Sequence, residues 1–178
     1  MPIAILPLLN VSSQTLDDLR EEIGNAFLSS VTILPAIRSL PDSAYNKKRE
    51  QYDADKLVSH LRQQTKGANA DKVVAVGSID LFVTDLNFIF GAAEKGGKLA
   101  VISLYRLDQR FYGKQSSYDS FKERAAKEAI HELGHCYGLD HCKRGKCVMV
   151  YSNDVVSVDR KAKFFCEECR EKLRKALL

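Results

Sequence analysis

Residues 131–142 read HELGHCYGLDHC and hold three of the chain's four histidines, two of its five cysteines and one glutamate. On a helix, residues four apart share a face, so His131 and His135 can aim two imidazole nitrogens at one ion about 2 Å away. Glu132 lies about 100° around the same helix, near enough to hydrogen-bond a water beside that ion without being a ligand. Gly138, third after the second histidine, permits the left-handed turn that reverses the chain, and His141 can then reach the ion from the opposite side. Three neutral imidazoles leave a fourth position open, which is the arrangement of catalytic rather than structural zinc. HExxH alone arises in chains of this length at odds on the order of one in a few hundred. Gly138 and His141 at their fixed offsets lower those odds by roughly three orders of magnitude.

A second metal pattern starts at the very next residue. Cys142 and Cys147 form one knuckle with four residues between them, and Cys166 and Cys169 another with two. Together they can close a tetrahedral thiolate site. Neighbours in an extended segment face opposite ways, so His141 turns toward one ion while Cys142 turns toward the other. The chain is therefore expected to hold two Zn2+, one for chemistry and one for structure. Cys136 reads as a small buried residue and His60 as a surface residue of its helix; neither is assigned to a metal.

With 178 residues, 45% of them apolar and 28% charged, the chain suits one compact domain with a small satellite subdomain. No internal repeat or low-complexity tract interrupts it. The opening MPIAILPLLN is short, lacks preceding basic residues and contains Pro2 and Pro7, so it reads poorly as a signal peptide. Nothing approaches the roughly 20 apolar residues of a membrane helix. Five cysteines, an odd number, favour metal binding in a reducing compartment over disulfides, and the expected location is the cytoplasm. From Cys142 onward ten Lys or Arg face five Asp or Glu. A zinc ion held by four thiolates carries about −2, so this excess balances the site or forms a solvated basic helix.

Apolar runs from Ile3 to Leu9, Val31 to Ile37 and Lys72 to Asp80 predict strands. Helical spacing marks Thr15 to Leu28, capped by Ser12 or Ser13, and a helix from about Asp53 to Thr65, after a polar connection from Ser39 to Gln51. Leu86 to Ala92 and Lys98 to Leu104 flank a KGG segment and read as a hairpin. Ser120-Phe121-Lys122-Glu123 is a capping-box sequence for the helix carrying the histidines, whose buried stripe is Ala125, Ala129, Ile130, Leu133 and Tyr137. Gly138 stops that helix. Clear periodicity returns only in a last helix from Cys166 to Leu178. The resulting fold class is α/β, a mainly parallel sheet with one antiparallel edge strand.

HExxHxxGxxH followed by a cysteine, Cys-x-Met and a distal CxxC resembles the archaemetzincins, a branch of the metzincin metallopeptidases. The likeness extends less specifically to LNFIFGAAEKGGKLAVIS, which looks like that family's edge strand and the strand after it. The resemblance implies a metzincin-like twisted sheet packed on helices, with residues 1–138 forming the α/β part. Residues 139–178 would form a zinc-stapled C-terminal subdomain. It implies His131, His135 and His141 as catalytic zinc ligands, Glu132 as general base, Met149 in a Met-turn, and Cys142, Cys147, Cys166 and Cys169 around a second zinc. Tyr151 stands where some metzincins place a tyrosine against the tetrahedral intermediate; a buried or rim residue is the other reading.

The expected activity is zinc-dependent hydrolysis of a peptide or protein substrate by a monomer, with the peptide extended along the edge strand near Leu86 to Ala92 and an aminopeptidase mode open. Two alternatives stand beside it. One is a zinc-binding protein of the same build with little or no protease activity. The other is a four-cysteine nucleic-acid binder using the basic C-terminal helix, which ranks last for want of interleaved aromatic and basic residues.

Overall fold

The computed structural model describes residues 1–177. The chain runs through β1 (Ile3–Leu8), α1 (Ser13–Phe27), β2 (Val31–Ile33), β3 (Tyr45–Asn46), β4 (Gln51–Asp53), α2 (Ala54–Gln64) and β5 (Lys72–Gly77). It continues through β6 (Leu81–Phe82), β7 (Gly91–Ala93), β8 (Leu99–Ser103), α3 (Tyr118–Cys136), α4 (Val155–Arg160) and α5 (Glu167–Ala176). Strands β2, β1, β5, β8 and β7 pair in that order, all parallel except β7, which runs antiparallel to β8 along the edge.

Alternation along the central strands assigns the two faces of this sheet. Ile3, Ile5, Val74, Val76 and Ile102 pack toward α1 and α3, whereas Ala4, Leu6, Val73, Ala75 and Val101 meet Leu57, Val58 and Leu61 of α2. Near-continuous apolar runs are what a parallel sheet covered on both faces requires. Helix α3 thus lies across one face, and its C-terminal turns come beside the edge strand. No helix among the described residues is long and apolar enough to cross a membrane.

Several expected boundaries move, each for a local reason. Strand β1 stops at Leu8 because Leu9 takes φ +60, and β2 stops at Ile33 rather than Ile37. Pro35 has no N–H for the ladder, and the chain rejoins β1 only through an isolated Leu8–Ile37 bridge. Helix α1 is capped by Ser12, whose Oγ accepts from the Thr15 N–H at 3.2 Å. Strand β5 ends at Gly77, short of Asp80. The polar connection is not featureless: β3 and β4 form a hairpin around a turn in which Asn46 Oδ1 accepts from the Lys48 and Arg49 N–H groups, and β6 extends it.

The capping-box reading of Ser120–Glu123 is corrected. Helix α3 starts two residues before Ser120, and its cap is Ser117, whose Oγ accepts from Ser120 N–H at 3.3 Å. The first turn is anchored to α1, where Asp18 accepts from the Tyr118 hydroxyl (2.6 Å) and the Lys122 ammonium (2.9 Å). The six-residue α4, capped by Asp154, gave no periodic signal because it is too short to show one. Helix α5 begins at Glu167 with Cys166 as its N-cap; the expected end at Leu178 lies outside the described residues.

The expected edge strand from Leu86 to Ala92 is also corrected: only Gly91–Ala93 pairs with β8. Residues 83–89 are drawn off this sheet, and Phe90 rejoins it by accepting from the Ser103 N–H (2.7 Å). Arg49 donates to the Leu86 and Asn87 carbonyls (2.9 and 2.8 Å), Gln51 donates to Asn87 (2.9 Å), and Arg106 stacks over Phe88 at 4.3 Å. The segment instead forms one rim of a cleft over the end of α3.

Candidate active site

The last two turns of α3 carry His131, Glu132 and His135. The Nδ1–H of His131 donates to the Val148 carbonyl (2.8 Å), and that of His135 donates to the Leu139 carbonyl (2.7 Å). Each bond fixes a tautomer and leaves the Nε2 lone pair unprotonated. Those two Nε2 atoms face each other at 3.1 Å. Gly138, at φ +86, turns the chain so that the His141 ring comes within 5.3 and 4.8 Å of the other two ring centres.

Two lone pairs held 3.1 Å apart have no proton to share, which would be repulsive unless a cation lies between them. Arms of about 2.0–2.1 Å on a tetrahedral ion place neighbouring nitrogens roughly 3.3–3.4 Å apart, so the imidazoles fit a zinc ion. Burial, reinforced by Lys161 and by the neighbouring imidazole, holds His131 well below its ordinary pKa. Burial lowers His135 and His141 too. All three are thus kept in the neutral form that binds a metal.

Glu132 is buried beside the imidazoles and lines the cleft. Burial, helped by the Glu128 carboxylate and opposed by Lys161, pushes its pKa up to about 8. A divalent cation at the imidazoles reverses that bias and favours the carboxylate. The side chain lies flat on the edge strand at Gly91, where an added Cβ would come 2.6 Å from Glu132 Cγ and 2.7 Å from Oε1. The two groups cannot share that space. Gly91→Ala is therefore expected to keep the fold and the metal content but to push the carboxylate off line. A displacement of about 1 Å costs on the order of a hundredfold in turnover. Kinetics and metal analysis on that variant check it, and unchanged kcat would show that the contact is immaterial.

Met149 is fully buried, and its thioether packs on the bare Cα of Gly134, under the histidine-bearing turn. The Met149 carbonyl accepts from Cys142 N–H at 2.8 Å, tying the loop after His141 to this turn. Tyr151 is half exposed at the cleft rim, its ring edge-on to His141 at 5.1 Å. The cleft encloses about 460 Å³ between the 83–90 rim, the edge strand, α3 and residues 151–153.

Cys142, Cys147, Cys166 and Cys169 form a second cluster. Cys142 and Cys166 sulfurs are 3.8 Å apart, the tetrahedral edge for zinc–sulfur arms of about 2.3 Å. Backbone N–H groups of Arg144 and Cys166 donate to the Cys142 and Cys147 sulfurs at 3.4 and 3.3 Å, as they would to thiolates. Burial opposes ionisation of Cys166, but hydrogen bonds from the Cys169 backbone and from its sulfur neighbours bring it down to about 7. Cys136 sits apart from both clusters, fully buried, its thiol pushed up to about 12 by burial. His60 is half-buried on α2 and joins no cluster.

The residues that sequence reasoning missed are Gly91, Glu128 and Lys161. Glu128 carried a usable signal, since it lies one turn before Glu132 on the same helix face. Lys161 carried none.

A mixed sheet whose edge strand flanks a helix bearing HExxH, with a third histidine brought in by a glycine turn, is the build of a zinc metallopeptidase. A family model described as Peptidase family M54 matches residues 10–175. The archaemetzincin of Methanocaldococcus jannaschii is 40% identical over 174 residues, covering 98% of this chain and 93% of that protein. The archaemetzincin of Pyrococcus furiosus is 40% identical over 179 residues, with the same 98% and 93% coverage. The crystal structure of the Methanopyrus kandleri archaemetzincin superposes with TM-score 0.87 at 34% identity, covering 99% of this chain and 95% of that one. The chain belongs to the archaemetzincins, peptidase family M54.

Proposed function

We propose that His131, His135 and His141 hold a catalytic zinc, that Glu132 is the general base, and that Cys142, Cys147, Cys166 and Cys169 hold a second, structural zinc. The observation that carries this reading is the pair of carbonyl-locked imidazoles whose Nε2 atoms converge at 3.1 Å beside the Glu132 carboxylate. When bound, the catalytic ion lowers the pKa of water toward about 7 and polarises the scissile carbonyl. Glu132 takes the proton of the attacking water and delivers it to the leaving amine. Val148 and Leu139 hold two imidazoles in register through their carbonyls. Tyr151 braces the third, and Met149 supplies an adaptable apolar floor.

The substrate peptide lies along the short edge strand. In the antiparallel ladder Phe90 accepts from Ser103 and Glu94 donates to Leu99, so Gly91 and Ala93 between them turn their backbone groups outward. A peptide pairing there would cross directly over Glu132. The reading includes a monomer in a reducing compartment, such as the cytoplasm, consistent with five unpaired cysteines. The division into residues 1–138 and 139–178 is kept as part of the same proposal. In the basic C-terminal segment Lys163 pairs with Glu22, Lys172 and Arg144 with Glu168, and Arg174 with Glu171. The nucleic-acid alternative ranks last because the chain lacks interleaved aromatic and basic residues.

Metal content per chain combined with X-ray absorption at the zinc edge tests the assignment. Two zincs are expected, one in N/O surroundings and one in sulfur only; a single ion would force reassignment of the cysteines. Turnover is tested with a panel of peptides carrying free and blocked amino termini. Cleavage of the free ones alone marks an aminopeptidase, and silence on the whole panel supports the non-proteolytic alternative.

A further inference from the structure

Helix α3 carries three charged side chains that are almost sealed from solvent, Arg124, Lys127 and Glu128, each at most 5% exposed. The first two grip the end of α4: Arg124 forks onto Asp159 at 2.6 and 2.7 Å, and Lys127 donates to the Val158 and Asp159 carbonyls at 3.2 and 3.1 Å. Glu128 reaches past α4 and pairs with the Lys161 ammonium at 2.8 Å, both side chains being buried. Lys161 also donates to the Val150 carbonyl at 3.4 Å.

That carbonyl is the last of three in a row, each with its own donor. Val148 accepts from the His131 ring at 2.8 Å, Met149 accepts from the Cys142 N–H at 2.8 Å, directly beside His141, and Val150 accepts from Lys161. Tyr151, the next residue, lies against the His141 ring. One short turn thus aims imidazoles that come from two separate segments. Lys161 ties the far end of that turn back to α3, three residues before His131. Stability gives no reason for a lysine in this place, because a buried ion pair is seldom better than apolar side chains of the same volume. Burial first, and the Lys161 charge next, hold His131 and His141 below their ordinary pKa, so the ammonium also works against any cation at the histidines. Glu128 offsets that charge. What a methionine of similar size could not do is hold the Val150 carbonyl.

We infer that Lys161, anchored on Glu128, is a positioning residue for the hydrolytic site: it fixes the 148–151 turn, and through that turn the directions in which His131 and His141 point. It acts through those imidazoles and not on the substrate. Supporting contacts of this kind set the orientation of ligands they never replace. The inference rests on reading the three histidines as a metal site.

Metal binding, which needs no substrate, provides the test. Cobalt is loaded at the histidines with zinc kept in the four-cysteine cluster, and its visible absorption bands report the ligand geometry. The double variant Glu128→Gln with Lys161→Met removes the ammonium together with the charge it would strand. Its melting temperature is expected to stay close to that of the wild type. Its cobalt bands are expected to shift, and affinity at the histidines, measured against a competing chelator, to fall about tenfold or more. Asp159→Asn is the counterpart: it weakens the Arg124 fork, and is expected to lower the melting temperature while leaving the bands and the affinity as they were. Glu128→Gln alone keeps the ammonium but loosens its anchor, so a smaller shift in the same direction is expected, and this decides the matter should the double variant fail to fold. Unchanged bands and affinity in the Glu128 and Lys161 variants overturn the inference alone. So does an equal change in Asp159→Asn, which would make the effect one of general stability. A wild type that takes up no cobalt at its histidines overturns the metal-site reading, and the inference falls with it.

Discussion

Turnover is expected to fall by about 10³-fold in Glu132→Gln, with both zinc ions retained. Gln has the shape of Glu but cannot take a proton, so the variant removes the base while preserving its contact with Gly91. The proposed metal ligands are insulated from the change, because His131 and His135 take their orientation from the Val148 and Leu139 carbonyls rather than from residue 132. The sign of the accompanying stability effect follows from burial, which pushes Glu132 up to about 8 when no cation is present. A carboxyl whose folded pKa is raised above its unfolded value binds more protons in the native state between the two values. With the histidine site stripped of metal, wild-type stability therefore falls as pH rises from about 4.5 toward 8, and the Gln variant lacks that loss. Steady-state kinetics, metal analysis and thermal melts across that range check the prediction. Undiminished turnover in the variant would remove Glu132 from the mechanism.

Substituting a buried thiol, Cys147→Ser or Cys169→Ser, is expected to remove one zinc and lower the melting temperature by roughly 10 °C or more. Structural zinc contributes about 10–16 kcal/mol of apparent binding energy in small zinc-finger peptides, and each kcal/mol moves Tm by roughly 2–4 °C in a chain of this size. Loss of even a quarter of that energy reaches the expected shift. Damage should also spread to the histidine site, because the two clusters share backbone. Cys142 follows His141 directly and donates its N–H to the Met149 carbonyl, while Cys147 precedes Val148, whose carbonyl holds the His131 ring. Weakening of the remaining zinc by about 10–100-fold is the expected size for losing such supporting contacts. Cys136→Ser serves as the contrast: Cys136 belongs to neither cluster, and this variant should keep both ions. Equilibrium dialysis against a chelator and thermal melts separate the cases. Two ions retained after loss of Cys147 or Cys169 would refute the thiolate site.

What can be read from the chain alone is whatever one stretch of backbone settles by its own geometry. His131 and His135 share a face because they are four apart on a helix, Gly138 turns because it alone tolerates φ +86 at little cost, and β1, β5 and β8 are buried because their apolar runs permit little else. The thiolate spacing belongs to the same class. Distant contacts decided the rest. Asp18, a hundred residues away, holds the first turn of α3, whose cap is Ser117 and not the box at Ser120. Arg49 and Gln51 pull residues 83–89 off the sheet, leaving only Gly91–Ala93 as edge strand, and that brings bare Gly91 against Glu132. Lys161, from a segment without periodicity, finds Glu128 in the interior. Periodicity reports only neighbours within a turn or two, whereas these hydrogen bonds and ion pairs join groups that meet only once the sheet and helices have packed, so tertiary structure alone could place them.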